Sequence, residues 1–195
     1  MKIISIMKKD KFLSMTKHLI ILAIVGLFIS SCEKDEPEEE PKEELIVAED
    51  FAFRTDQANA SSFSYINVTD VDGEDDRLEV CDVVVTTTDA SCMTSSASYE
   101  SLSFDTQTGN FEATFNVTPL ADEIDVVVGL SPEKASGHSD MACIVRFKFD
   151  QYIYARNGGE YQTPYSVVYE ANMTYSFRVV VDLDSKTYDV YVTPQ

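Results

Sequence analysis

From Phe51 onward, stretches in which apolar and polar residues alternate at period two recur along the chain, and no segment shows a helical apolar stripe. In Thr174–Asp182, Tyr175, Phe177, Val179 and Val181 fall on one side, with Ser176, Arg178, Val180 and Asp182 on the other. That is the pattern of a strand, whose successive side chains point to opposite faces. Thr187–Thr193 sets Tyr188, Val190 and Val192 against Thr187, Asp189, Tyr191 and Thr193. Met141–Phe149 sets Cys143, Val145, Phe147 and Phe149 against Ile144, Arg146 and Lys148. Further strands are predicted over Phe51–Arg54, Leu78–Thr86, Tyr99–Phe104, Phe111–Val117, Ile124–Leu130, Tyr152–Arg156 and Tyr165–Tyr169. Turn sequences such as Asp72-Gly73, Gly109-Asn110 and Asn157-Gly158-Gly159 separate them. So many short strands in one domain predict an all-β, two-sheet antiparallel sandwich. No repeat of solenoid or propeller length is present.

The N-terminus obeys a different rule. Leu19–Ile29 is an unbroken apolar run, preceded by Lys8, Lys9, Lys11 and Lys17 and followed by Ser30-Ser31-Cys32. This is the layout of a secretory signal peptide. At about eleven residues the run is too short for a spanning helix, which needs roughly 20. With the cysteine at the cut, the segment resembles a bacterial lipoprotein signal, which implies that Cys32 becomes the lipid-carrying first residue. The following stretch, Glu33 to Glu44, is almost wholly charged or proline, so it is expected to be an extended acidic tether. Its start, Cys-Glu-Lys-Asp-Glu, is similar to the export signal of Bacteroidota-type surface lipoproteins. The implied location is the outer membrane, lipid-anchored and facing the exterior. The expected organisation is a signal peptide at 1–31, a disordered tether at 32–48 and one domain at 49–195.

With 34 acidic against 15 basic residues the chain carries a net charge of −19. Such a surface repels nucleic acid backbones and excludes them as partners. Apart from Cys32, three cysteines remain. In an oxidising compartment Cys81 and Cys92 are close enough in sequence to pair, leaving Cys143 as a core thiol. No cysteine or histidine spacing marks a metal site.

Several segments are similar to a module of secreted bacterial polysaccharide-acting proteins. They are Phe111–Pro119, Ile124–Ser131, Val145–Phe147, Ala155–Tyr161, Tyr175–Arg178 and Thr187–Pro194. That module is a concanavalin A-like jelly roll, so the resemblance implies this winding of the sandwich. Phe51–Gln57 resembles a segment that follows the last strand in such modules but stands first here. A circularly permuted order would place Phe51–Arg54 beside Thr187–Thr193, as closed sandwiches with adjacent ends tolerate.

Such a frame can host three chemistries. Glu123-Ile124-Asp125-Val126-Val127 approaches the motif of retaining glucanases, whose two carboxylates must flank one bond at about 5 Å. Val127, or Val128 if a bulge intervenes, stands where the acid/base belongs, which excludes that mechanism. A polysaccharide lyase needs a cation beside a uronate carboxylate and a base for the C5 proton. Arg54, Arg146, Arg178 or Lys148 could neutralise, and Tyr154, Tyr161, Tyr191 or His138 could serve as base; no catalytic residue is assigned. Non-catalytic glycan binding needs only stacking rings and hydrogen-bonding forks. Arg146, Lys148, Arg178 and Tyr191 on the sheets, with Arg156, Asn157 and Tyr161 around a hairpin, are its candidates. The chain has no Trp, and ten Tyr supply the rings.

The leading expectation is therefore a surface lipoprotein that binds a polysaccharide, with cationic candidates favouring an anionic one, beside an outer-membrane transporter. A lyase is the runner-up, and an adhesive protein with a protein partner is the third reading. No cofactor is expected. Asp70-Val71-Asp72-Gly73-Glu74-Asp75-Asp76 leaves a structural calcium open, though it lacks the later bidentate Glu of a calcium loop.

Overall fold

The computed structural model describes residues 42–195 apart from 87 and 90. The signal peptide, Cys32 and the tether up to residue 41 lie outside the described residues. Thirteen strands run in chain order: β1 (Leu45–Ala52), β2 (Phe63–Asp70), β3 (Leu78–Val84), β4 (Thr88–Asp89), β5 (Met93–Thr94), β6 (Glu100–Gln107), β7 (Phe111–Pro119), β8 (Val126–Ser131), β9 (Cys143–Phe147), β10 (Ile153–Asn157), β11 (Glu160–Gln162), β12 (Tyr175–Asp182) and β13 (Thr187–Pro194). Two 3-10 turns, Thr55–Gln57 and His138–Asp140, sit in loops.

The strands form the expected two-sheet antiparallel sandwich. The first sheet has the order β1-β13-β12-β7-β3-β4, with β5 also on β3; the second has β11-β10-β9-β8-β2-β6. Alternation translates directly into burial. Tyr175, Phe177, Val179 and Val181 of β12, and Tyr188, Val190 and Val192 of β13, all point into the core. Phe147 of β9 bridges to Phe177 of β12 in the opposite sheet at 5.8 Å, and Phe177 stacks on Phe115 of the neighbouring strand β7 at 5.4 Å. Such ring pairs add about 0.5–1.5 kcal/mol each beyond their buried area.

The adjacency expected of the chain ends is present, since Phe51 and Ala52 pair with Tyr188 and Thr187. The strand begins earlier than the expected boundary at residue 49, however. Leu45 and Ile46 pair with Val192 and Tyr191, and Val47 and Ala48 are fully buried. The exposed edge of β13 gives this stretch backbone partners that its acidic neighbourhood did not advertise.

Three other expectations need correction. β2 is absent from the strands that alternation predicts, yet it lies inside the second sheet between β8 and β6. A register shift between Phe63 and Tyr65 breaks its alternation, and its buried outer face carries Asn67 and Thr69 rather than apolar residues. Tyr165–Tyr169 is no strand; it touches β10's leading edge through a single bridge, Val168 to Tyr152. Phe149 is not in the core but 58% exposed, because β9 ends at Phe147 and the chain turns away.

Cys81 and Cys92 form a disulfide across the β3–β5 region, and Cys143 is a free, buried thiol. Among the described residues, no helix is long and apolar enough to cross a membrane.

Candidate functional site

The outer face of the second sheet is divided in two. Over β8, the loop between Ser131 and Ala142 lies flat, burying Ala135 and Met141 against Val127 and Ile144. Gly129 makes this possible, since a Cβ there would stand 2.6 Å from the Met141 sulfur and 3.0 Å from the Cys143 carbonyl oxygen. Asn67 fastens the same loop. Its Oδ1 accepts from the Ala135 amide at 3.1 Å and from the Ser101 hydroxyl at 2.7 Å, while its Nδ2 donates to the Ser131 hydroxyl at 2.7 Å.

Beyond the loop, β9, β10 and β11 present a face of cations and tyrosines. Register sets the neighbours: Arg146 pairs with Tyr154, Arg156 with Tyr161, and the Lys148 amide donates to the Tyr152 carbonyl at 3.2 Å. The long side chains then reach diagonally. The Arg146 guanidinium stands 4.9 Å from the Tyr161 ring centre and the Arg156 guanidinium 4.8 Å from it. The Lys148 ammonium lies 5.0 Å from both the Tyr154 and Phe149 rings. Each contact is of cation–π type.

Two buried tyrosines hold these strands from below. Tyr188 of β13 donates from its hydroxyl to the Arg156 carbonyl at 2.6 Å and accepts from the Ile144 amide at 3.4 Å. Tyr169 donates to the Lys148 carbonyl at 2.8 Å and accepts from the Ile124 amide at 3.1 Å. Gly158, at φ 53°, makes the tight β10–β11 turn that brings Tyr161 opposite Arg156.

The cations differ in what holds them. Arg146 makes a bidentate pair with Asp125, both contacts being 2.6 Å, which raises its pKa further. Asp125, the residue of the glucanase-like motif, is thereby committed, and Val127 beside it is fully buried. Lys148 lies 3.4 Å from Asp150, which also accepts the Tyr154 hydroxyl at 2.8 Å. Arg54 is paired with Asp56. Arg156 donates from Nε to the Gly158 carbonyl at 3.1 Å, and among the described residues it enters no ion pair.

His138, on the covering loop, meets the Tyr99 ring edge-on at 5.9 Å. Burial first, and then Arg54 and Arg146, hold its pKa below the usual 6.5, so the imidazole is neutral at pH 7. Burial pushes the Tyr161 phenol up against the opposing pull of Arg146, Arg156 and Arg54, leaving it protonated. Tyr99, Arg54 and the loop escaped the glycan-binding reading of the sequence, because only the fold carries them to this face.

The remaining candidates stand elsewhere. Asn157 is used structurally: its Oδ1 accepts from the Ala52 amide at 3.1 Å and its Nδ2 donates to Gln162 at 3.3 Å. Arg178 and Tyr191 lie on the outer face of the first sheet, the guanidinium 3.9 Å from the ring centre. Glu44 and Glu112 pair with that arginine at 2.9 and 3.6 Å. The two faces are thus separate, and this one is already neutralised.

The acidic loop does gather carboxylates, with oxygens of Asp70, Asp72 and Asp76 within 4.8 Å of one another. Both Asp70 oxygens accept backbone amides, from Asp72, Gly73 and Asp75, and Asp76 accepts the Asp125 amide at 2.6 Å. These bonds tie the loop to the start of β8. A recess along the covering loop is lined by Gln57, Pro132, Glu133, Lys134, Ser136 and Asp140, and none of the arginines or tyrosines of the β9–β11 face lines it.

No protein-family model matches the chain, and neither a curated protein nor a solved structure matches it.

Proposed function

We propose that this chain is an outer-membrane lipoprotein, anchored through Cys32, whose sandwich binds a polysaccharide on the face of β9, β10 and β11. The observation that carries this is Tyr161 lying within 5 Å of both Arg146 and Arg156, with Arg156 free of any ion pair among the described residues. The arginine forks around this ring supply directed hydrogen-bond donors, and the exposed Phe149 ring on the same face supplies a stacking surface, which together are what sugar recognition needs. On a chain of net charge −19, an arginine without an acidic partner favours an anionic glycan. The resemblance of Phe111–Ser131 and later segments to concanavalin A-like modules supports the same class. Glu44, just ahead of β1, pairs with Arg178 on the outer face of the opposite sheet, leaving the β9–β11 face clear of it. The role fits a glycan-utilisation system, with an outer-membrane transporter as partner.

Affinity electrophoresis of the domain through alginate, polygalacturonate and a sulfated galactan tests the reading. Retardation that Tyr161→Ala abolishes supports it. Absence of retardation on all three sinks it and leaves the protein-binding reading. New absorbance in the unsaturated-uronate band during incubation would replace binding with lyase chemistry, for which neutral His138 is the available base.

A further inference from the structure

The face of β9 and β10 carries its cations and tyrosines as a ladder. Arg156 with Tyr161, Arg146 with Tyr154, and Lys148 with Tyr152 occupy three successive outward rows. Rows two residues apart lie about 7 Å from one another along a strand, so the ladder is roughly 14 Å long. The rows are alike in composition and unlike in charge. At the middle row Arg146 spends Nε and one terminal nitrogen on Asp125. At the far row Lys148 is held by Asp150, and Phe149 offers a ring that is 58% exposed. Only at the first row does a cation lack an acid: Arg156 uses Nε on the Gly158 carbonyl and has no carboxylate on its two terminal nitrogens among the described residues.

We propose that a linear glycan lies along β9 and β10, that Arg156 alone reads an acidic substituent, and that the rings toward Phe149 are held without charge. This rests on the polysaccharide-binding reading and assigns that site its polarity: one acidic group at the hairpin end, neutral sugar faces at the other. The end-on fork of Arg156 fits a carboxylate or a sulfate ester, since each presents two acceptor oxygens side by side to a pair of N–H donors. Tyr154, whose hydroxyl is fixed by Asp150, and Phe149 supply the apolar faces on which sugar C–H groups rest.

The test measures dissociation constants for polygalacturonate, its full methyl ester and a sulfated galactan. It compares the native domain with Arg156→Gln and Lys148→Met, each checked for an unchanged circular dichroism spectrum. The native domain is expected to prefer the free acid over the ester by about tenfold or more, the effect of one charge-assisted contact. Arg156→Gln should still bind the ester but bring the two within about twofold, while Lys148→Met keeps the preference. Preference for the sulfated galactan over the ester, lost in the same variant, would assign the substituent as sulfate; preference for polygalacturonate alone would assign a carboxylate. If Arg156→Gln keeps the preference, or Lys148→Met loses it equally, the proposal is overturned while glycan binding stands. If the native domain binds none of the three probes, the binding reading itself falls.

Discussion

The hydroxyl of Tyr188, on the last strand of one sheet, lies 2.6 Å from the carbonyl oxygen of Arg156 in the other. The contact crosses the core and joins the exposed ladder to the most buried part of the molecule, since Tyr188 is 1% exposed. Burial raises the pKa of this phenol well above its ordinary value, so it remains a donor throughout the physiological range.

Removing that hydroxyl should therefore cost both stability and binding. Tyr188→Phe leaves the Arg156 carbonyl and the Ile144 amide without this partner, a loss of about 1–3 kcal/mol. Urea unfolding measures it. A midpoint equal to that of the native domain would show that the cross-core bonds contribute nothing.

Gly129→Ala places a methyl group against the Met141 sulfur and the Cys143 carbonyl. The covering loop must lift, at a cost of about 1–3 kcal/mol. Hydrogen exchange should speed up at the Ala135 and Ala142 amides, which bond Asn67 and Leu130. Unchanged exchange there would refute the docking of this loop.

The Cys81–Cys92 disulfide spans 11 residues of sequence. Replacing both cysteines with alanine should lower stability by about 2–4 kcal/mol, the usual effect of opening so short a loop. Because β3 lies in the sheet opposite the ladder, polygalacturonate affinity is expected to survive in the folded variant. Loss of affinity at full fold would tie the disulfide to the site.

Acid should loosen the covering loop in two windows. The pKa of His138 is lowered in the folded chain, so its contribution is complete above 6.5 and is lost as pH falls through the folded value. Asp140 accepts the Ser136 and Gly137 amides, and the Ser136 bond foremost holds its carboxyl below 3.8. Its contribution is present above 3.8 and is lost at still lower pH. Unfolding midpoints measured from about pH 7 downward should show the first loss in the native domain and not in His138→Gln. An identical profile in both would exclude His138 as its source.

The two candidate faces are separable by substitution. Tyr161→Ala should weaken polygalacturonate binding by about tenfold or more, whereas Arg178→Gln should leave it unchanged. Calorimetric titration distinguishes them. A loss in Arg178→Gln matching that of Tyr161→Ala would move the site to the first sheet.

What the sequence determined by itself is local. Alternation at period two named most strands and the inward faces of β9, β12 and β13, because a pleated backbone sorts side chains without reference to anything distant. It also brought Arg146, Lys148, Arg178 and Tyr191 to notice as outward residues, while the Asn157-Gly158-Gly159 turn drew attention to Arg156 and Tyr161 beside it. Where local order failed, tertiary structure had decided. β2 hides its alternation behind a bulge and buried polar residues, whose hydrogen bonds come from distant segments: Asn67 bonds Ser101, Gly129, Ser131 and Ala135, and Thr69 bonds the Ser96 carbonyl. Which cation is free was likewise illegible. Asp125 meets Arg146 across 21 residues and Glu44 meets Arg178 across 134, separations that no spacing rule anticipates. Charge neutralisation acts over a few ångströms of space. Only the folded chain could show that Arg156 is the arginine of the ladder left without an acid among the described residues.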